Sequence, residues 1–558
     1  MAGTGSWRGP IVDLIWLGEG ALPGHWPLGH VYPAGRSPRD LDRQFGLAAQ
    51  ASQPEAWLFW DADLGTPDPD IIRSALEMPG DVWHAGLRLG MGGLPGVIDF
   101  IAPTWMFNRD PDPAIEATSW RLSLGACLAR REVVEQMGFI RPEFQTLEAA
   151  ALEWGQRCIR LGVITRHLPA LLSSRPDQKP PLLPFEDELR FALYRFGRKW
   201  GLWALLRAVL SSYTPPVVAL KAWWSLRQAS SPPVARPFER SFGATPAASE
   251  TGNEAPTRVS VLIPTLDRYP YLKTLLAQVR RQTLPPAEII VVDQTQPARR
   301  QPDLVEEFSD LPLRWIYQEQ PGQCSSRNAG LQAARGEAIL FLDDDDEIPE
   351  NLIEILLTSM QRYRAQVISG VAFETGAGPL PQAFTFPRAS DVFPTNNTLA
   401  ERDVMGRSGL FDLAYEHGAR ADGDLGMRVY LSGALMVLEP AASVLHHHAP
   451  GGGLRAHKAR VVTYTSSRSR LAQRRLVSST EIYLSRRYFS QRQVREWLWL
   501  NVLGTFSLHG SPGKGVAKAA ISFVLLPDTF LKLRRYNQKA NEMLSQFPQI
   551  PELVIPVR

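Results

Sequence analysis

Four consecutive aspartates, Asp343 to Asp346, are the residues of this 558-residue chain best suited to carry chemistry. Carboxylates set side by side repel one another, and no packing requirement asks for them. A divalent cation relieves the repulsion, because hard ions such as Mg²⁺ or Mn²⁺ prefer oxygen ligands and are held by one or two carboxylates together with substrate phosphates. The competing reading is a solvated acidic turn, the ordinary fate of a charge run. The aspartates follow directly on Ala338–Leu342, a short apolar run that reads as a strand buried on both faces of a parallel sheet. Open α/β sheets bind ligands at the carboxyl ends of such strands. Asp293 ends a second run, Ala287–Val292, and could accept hydrogen bonds from a nucleobase edge; by itself it reads equally well as a loop or capping residue. Arg327, at the start of a helix expected over 326–334, could face a diphosphate or pair with the aspartates.

The elements that position these groups are legible around them. Val259–Thr265 is a buried-strand run that closes on Pro264-Thr265, and a helix is expected from Tyr271 to Gln282 before the strand that ends at Asp293. Strand, helix and strand at this spacing imply a right-handed parallel crossover. Further on, ADGDLGMRVYLSG from Ala421 reads as a helix start with Asp422 or Gly423 near its cap. Three histidines, His446 to His448, precede Gly451–Gly453 and read either as metal ligands or as a surface turn. Arg455, Lys458 and Arg460 then suit a loop that closes over a diphosphate, or plain solvated charge.

Length and composition describe an ordinary globular chain of two to four domains, 44% hydrophobic and 21% charged. A net charge of +3 gives no reason to expect nucleic acid as a partner. Cys127, Cys158 and Cys324 have neither metal-site nor disulfide-framework spacing, which fits a reducing compartment. MAGTGSWRGPIVDLIW lacks a signal-peptide pattern, and no stretch approaches 18 uninterrupted apolar residues. A cytoplasmic protein is expected, with peripheral contact at the inner face of the plasma membrane left open. That contact would involve the Trp-rich basic stretches around Trp200 and Trp223 and after Arg468, which read equally as interfacial helices or as packing surfaces.

The expected organisation is 1–180, a first α/β domain; 181–228, a helical segment with patterns over 185–213 and 216–226; 229–257, a flexible Pro/Ser/Ala/Gly-rich linker; 258–453, a second α/β domain; and 454–558, a helical basic extension. The two α/β domains read as copies. RQFGLAAQASQPEAWLFWDADLGTPD from Arg43 aligns with RNAGLQAARGEAILFLDDDDEIPE from Arg327. LARREVVEQMG from Leu128 aligns with LAERDVMGRSG from Leu399, 271 residues later, and Glu153, Arg157 and Gly162 pair with Asp424, Arg428 and Gly433 at the same offset. The first copy keeps Asp61 and Asp63 but has Ala151 where the second has Asp422, and Arg175–Asp177 where the second has its histidines. A degenerate copy kept for packing or binding is expected there.

With VSVLIPTLDR, IIVVDQTQ, SSRNAGLQAARGEAILFLDDDDEIPENL, NNTLAERDVMGRSGLFD, RADGDLGMRVYLSG and SVLHHH in order, residues 258–453 resemble a family 2 glycosyltransferase of the GT-A fold. The resemblance implies two GT-A domains in tandem, each a Rossmann-like, mostly parallel α/β sheet. It implies that Pro264, Thr265, Asp293, Arg327, Asp343 and Asp344 bind a nucleotide-sugar donor. It implies that Asp343, Asp345 and His446 hold Mg²⁺ or Mn²⁺, with His448 the alternative to His446, and that Asp422 is the catalytic base. Ala421 replaces the glutamate that the family sets beside that base. The expected activity is inverting, metal-dependent transfer of a sugar to a hydroxyl of a glycan or lipid-linked acceptor. A sugar nucleotidyltransferase is the first alternative, but it needs a Gly-rich basic loop where Pro264–Asp267 stands. A carbohydrate-binding scaffold without activity is the second.

Overall fold

A computed structural model describes residues 11–86, 94–172, 182–229, 236–241, 257–376, 378–449, 451, 471, 473–507 and 512–554. The chain divides into two compact units, one of residues 1–101 and 110–248, the other of 102–109 and 249–558. Both are mixed α/β.

The first unit is built on seven strands: β1 (Val12–Leu17), β2 (Val31–Ala34), β3 (Ala56–Asp61), β4 (Val82–His84), β5 (Ala117–Thr118), β6 (Ala126–Arg130) and β7 (Thr165–His167). Their order is β2-β1-β3-β6-β4-β7-β5. β2, β1 and β3 run parallel, β6 is antiparallel to β3 and β4, β7 is parallel to β4, and β5 is antiparallel to β7.

The second unit holds β8 (Val259–Thr265), β9 (Glu288–Asp293), β10 (Leu313–Tyr317), β11 (Ala338–Phe341), β12 (Asp346–Glu347), β13 (Val367–Glu374), β14 (Arg388–Ala389), β15 (Thr398–Glu401) and β16 (Met436–His446). The order is β10-β9-β8-β11-β15-β13-β16-β12, with β14 also on β16. Taking β9, β8, β11, β15, β13, β16 and β14 in turn reproduces the strand directions of the first unit.

The duplication read in the sequence therefore exists as topology, and it extends to side chains. In the first unit Arg157 bonds Glu153 at 3.0 Å and the Met137 carbonyl. In the second, Arg428 bonds Asp424 at 2.9 Å and the Ser408 carbonyl, each partner 271 residues further on. What the first unit lacks among the described residues is the helix Tyr269–Arg280 between its first two strands and counterparts of β10 and β12. Only residues 18–30 join β1 to β2, and β2 leads directly into the helix Pro38–Ala51.

β8, β9 and β11 are buried almost throughout, as runs of Val, Ile and Leu between two helical layers should be. The helix Gln323–Ala333 approaches β8 closely at Gly330, where a Cβ would collide with the Leu262 side chain. Gly330→Ala is therefore expected to destabilise the second unit by about 1–3 kcal/mol, read as a lower denaturation midpoint. An unchanged midpoint would refute the close packing.

Several sequence expectations are corrected. The pattern over 185–213 is two helices, Phe185–Phe196 and Arg198–Leu210, because Gly197 adopts φ 82° between them. With Pro216–Ser225 they form a three-helix layer inside the first unit. The linker expected over 229–257 is anchored where described, at 236–241. There Phe238 is buried and Arg240 pairs with buried Asp81 at 2.6 Å. The rest of it, and the loop with Arg455, Lys458 and Arg460, lie outside the described residues. In the C-terminal extension, the helix Ser479–Tyr488 packs on the second unit, with Ile482 and Tyr483 fully buried and Tyr483 bonded to Asp412 at 2.6 Å.

Candidate active site

The acidic run leaves the end of β11 and its four carboxylates point different ways. Asp344 turns inward, where its oxygens take hydrogen bonds from Thr265 at 2.8 Å and Arg268 at 2.9 Å. Burial pushes its carboxyl up to about 7, a rise that Arg268 and Thr265 oppose. Asp345 is also buried; it meets Arg268 at 3.0 Å and takes the Ala449 N–H at 2.7 Å. Asp346 opens the two-residue strand β12, whose antiparallel register sets it directly opposite His446 on β16. Its carboxylate accepts from His446 Nδ1 at 2.8 Å and from the Asp343 N–H at 2.8 Å. Asp343 is half-buried and paired with Arg327 at 2.7 Å.

This pairing of a two-residue strand with β16 gathers residues a hundred apart in sequence. Ligand-capable atoms of Asp343, Asp345 and His446 lie within 4.8 Å of one another. Two carboxylates and an imidazole are a donor set for Mg²⁺ or Mn²⁺, so the residues present fit such an ion. Burial works against a charged His446, yet the hydrogen bond to Asp346 and the charges of Asp343, Asp346 and Asp345 push it up to about 9. Burial likewise pushes Asp346 up to about 7, against the bond to His446. His448, the alternative ligand, stacks edge-on against His446 at 4.5 Å and lies 3.4 Å from Glu374, outside the three-residue cluster.

A cleft of about 810 Å³ opens on this cluster, and Asp343, His446, Arg327 and Asp422 all line it. Asp422 is the second residue of the helix Ala421–Leu431. The expected capping role is not what the structure shows, because Arg420 occupies the N-cap with φ 84° and Asp422 caps nothing. Its carboxylate has no hydrogen-bond or ion-pair partner among the described residues. Pro264, Thr265, Asp293 and Asp344 do not line the cleft. Asp293 is buried at the end of β9, where Tyr269 at 2.7 Å, the Thr295 N–H at 2.9 Å and Trp315 at 3.3 Å occupy three of its acceptor positions.

Arg327 lies in the second turn of a helix that begins at Gln323 rather than at the expected 326. The earlier start is explained by Glu416, whose carboxylate takes the Cys324 and Ser325 N–H groups at 2.7 and 3.0 Å and satisfies the orphan donors of the first turn. Glu416 thereby ties the loop ahead of Asp422 to the helix of Arg327. Sequence reasoning missed Glu416, Arg268 and Tyr269, although Arg268 closes the VSVLIPTLDR segment. It also missed Met106, which lines the cleft from the segment Ala102–Arg109 of the second unit, where Trp105 bonds Asp391 at 2.6 Å.

In the first unit the acidic pair has a guanidinium for a partner. Arg36 joins Asp61 at 2.6 Å and Asp63 at 2.6 Å, so a guanidinium takes the position a cation would hold. Ala151 is fully buried, and Trp120 packs without exposure against Phe191. Residues 175–177 lie outside the described residues.

A mixed α/β sheet with carboxylates and a histidine at its strand ends is the class this site defines. Residues 260–397, within the second unit, match the model of the family described as Glycosyl transferase family 2. Among relatives, the chain is 36% identical over 118 residues to the putative glycosyltransferase EpsH of Bacillus subtilis, covering 21% of this chain and 34% of that one. It is 28% identical over 126 residues to the GalNAc(5)-diNAcBac-PP-undecaprenol beta-1,3-glucosyltransferase of Campylobacter jejuni, covering 21% and 39%. The chain spans about a third of the length of these relatives. Among solved structures, Staphylococcus aureus TarS 1–349 in complex with UDP-GlcNAc aligns at 18% identity with a TM-score of 0.35, over 53% of this chain and 82% of that one.

Proposed function

We propose that the second unit is an inverting glycosyltransferase that moves a sugar from a nucleoside-diphosphate donor to a hydroxyl acceptor. The observation that carries this reading is the shared cleft, in which Asp422, without a partner among the described residues, shares one space with Asp343, His446 and Arg327. Asp343, Asp345 and His446 would hold Mg²⁺ or Mn²⁺, which when bound neutralises charge on the departing diphosphate. Arg327 adds a fixed guanidinium on the same side of the cleft. Asp422 accepts the proton of the acceptor hydroxyl as that oxygen attacks the anomeric carbon. With one base and no second nucleophile assigned, the displacement is direct and inverts the anomeric centre. A lipid-linked acceptor is supported by the undecaprenol-linked glycan in the name of the Campylobacter relative.

The test is a panel of sugar nucleotides with Mn²⁺, scored for nucleoside diphosphate. Pyrophosphate in its place would identify a nucleotidyltransferase, and binding without turnover a carbohydrate-binding scaffold. The first unit enters as a degenerate copy, because Arg36 pairs with both Asp61 and Asp63 and Ala151 stands where the second unit has Asp422. Asp61→Ala is expected to leave turnover within about twofold of the natural chain, the range of a substitution at a half-buried residue outside the second unit's cleft lining. A larger loss in a folded variant would show that the first unit takes part in the reaction.

A further inference from the structure

The helices Arg198–Leu210 and Pro216–Ser225 are apolar on more than one face, and the structure shows which faces are used. One side packs inward: Leu205, Ala219, Ala222 and Leu226 join Leu189 and Leu193 in a common core. The other side stays open. Leu202, Leu206 and Leu210, spaced four apart, form a stripe along the first helix; Val217, Leu220 and Trp224 form one along the second. The open side chains are far from marginal, with Leu206 49%, Leu220 65%, Trp224 68% and Val217 77% exposed. A run of large apolar residues like this marks an interaction surface.

The charges around it select the partner. Residues 197–229 contain Arg198, Lys199, Arg207, Lys221 and Arg227 and not one Asp or Glu. Arg227 lies over the Trp224 ring at 4.5 Å, and Arg198 over Trp223 at 5.8 Å, so cations border the aromatic groups. A symmetric dimer through this surface would set the same cations against their own copies, with no acid from the segment to receive them. An anionic lipid surface meets both features, taking the apolar stripes into the acyl boundary and the cations into its headgroups. At 13 and 10 residues the two helices are too short to span a bilayer. No helix among the described residues is long and apolar enough to cross one.

We infer that the helix pair Arg198–Leu210 and Pro216–Ser225 docks the first unit in the plane of an anionic membrane. This does not depend on the activity proposed above, since none of its residues is among those lining the second unit's cleft and it is measured without donor. The full-length protein is sedimented with vesicles of pure phosphatidylcholine or pure phosphatidylglycerol. Binding to phosphatidylglycerol alone is expected, weakening as salt is raised. The double variant Leu206→Glu, Leu220→Glu should lose at least about tenfold in vesicle affinity, since apolar insertion and charge attraction are both reduced. Both positions are exposed, so the thermal melt should not move. Lys199→Glu with Lys221→Glu, which touches no apolar contact, should remove most of the salt-dependent part. Absence of binding to phosphatidylglycerol at low salt, or unchanged binding in both variants, overturns the inference. So does a dimer that the Leu206→Glu, Leu220→Glu substitutions dissolve without any vesicle binding.

Discussion

Replacing Asp422 by asparagine is expected to lower kcat by about 10²- to 10⁴-fold, the range of a lost general base, with donor affinity unchanged. The carboxylate sits on the second residue of its helix and bonds nothing among the described residues, so asparagine fits its place without repacking. The structural side effect is small: removing an acidic group from a helix N-terminus costs about 0.3–1 kcal/mol. The catalytic loss corresponds to about 2.7–5.4 kcal/mol in the barrier, so the two effects separate cleanly. Initial rates of nucleoside diphosphate release and calorimetric titration of donor would be compared between the natural chain and the variant. Full activity in Asp422→Asn would remove the base from the proposal, and lost donor affinity would move Asp422 to the donor side. Ala421 puts no carboxylate beside Asp422 in sequence, and Glu374, Asp391 and Glu481, which also line the cleft, are the controls to substitute in parallel.

How much of this was readable in the sequence depended on whether the cause was local. β8, β9 and β11 announce themselves, because a strand buried on both faces must be apolar at every position. The duplication was readable because Glu153–Arg157 and Asp424–Arg428 are each an i,i+4 ion pair, which fixes both residues and their spacing. Boundaries set by one unusual dihedral were harder. Gly197 splits one periodic pattern into two helices, and Arg420 takes a left-handed conformation that no local preference of arginine foretells. In the site, the acidic run advertised a cation, but not which carboxylates turn toward it. Asp344 faces inward because Arg268 and Thr265 await it, and Arg268 is 76 residues away in sequence. Glu416 has the same history: its partners are backbone N–H groups 91 and 92 residues back, which leave no trace in side-chain spacing. The layer formed with 182–229 was readable as helical, while its open apolar face required knowing which side the core had used.

The second large effect concerns the cation. Chelation is expected to abolish turnover, and Mn²⁺ or Mg²⁺ to restore it, if the cluster at the end of β11 is the ion's seat. Two substitutions separate direct ligands from their support. Asp343 lines the cleft and offers an oxygen to the cluster, so Asp343→Ala should leave no restoration at any practical metal concentration. Asp346 belongs to the layer behind: its carboxylate fixes His446 through Nδ1 and the Asp343 backbone through its N–H, both at 2.8 Å. A carboxylate behind a metal-binding histidine orients the ring, and its loss weakens metal affinity by about 10- to 100-fold. Asp346→Asn should therefore bind Mn²⁺ more weakly, seen in the electron paramagnetic resonance signal of free ion, yet recover turnover when Mn²⁺ is raised in proportion. Equal Mn²⁺ affinity in the natural chain and both variants would place the ion elsewhere. Turnover that survives chelation would mean that Arg327 and Arg268, the two guanidinium groups already paired with these aspartates at 2.7 and 2.9 Å, carry the leaving diphosphate's charge by themselves.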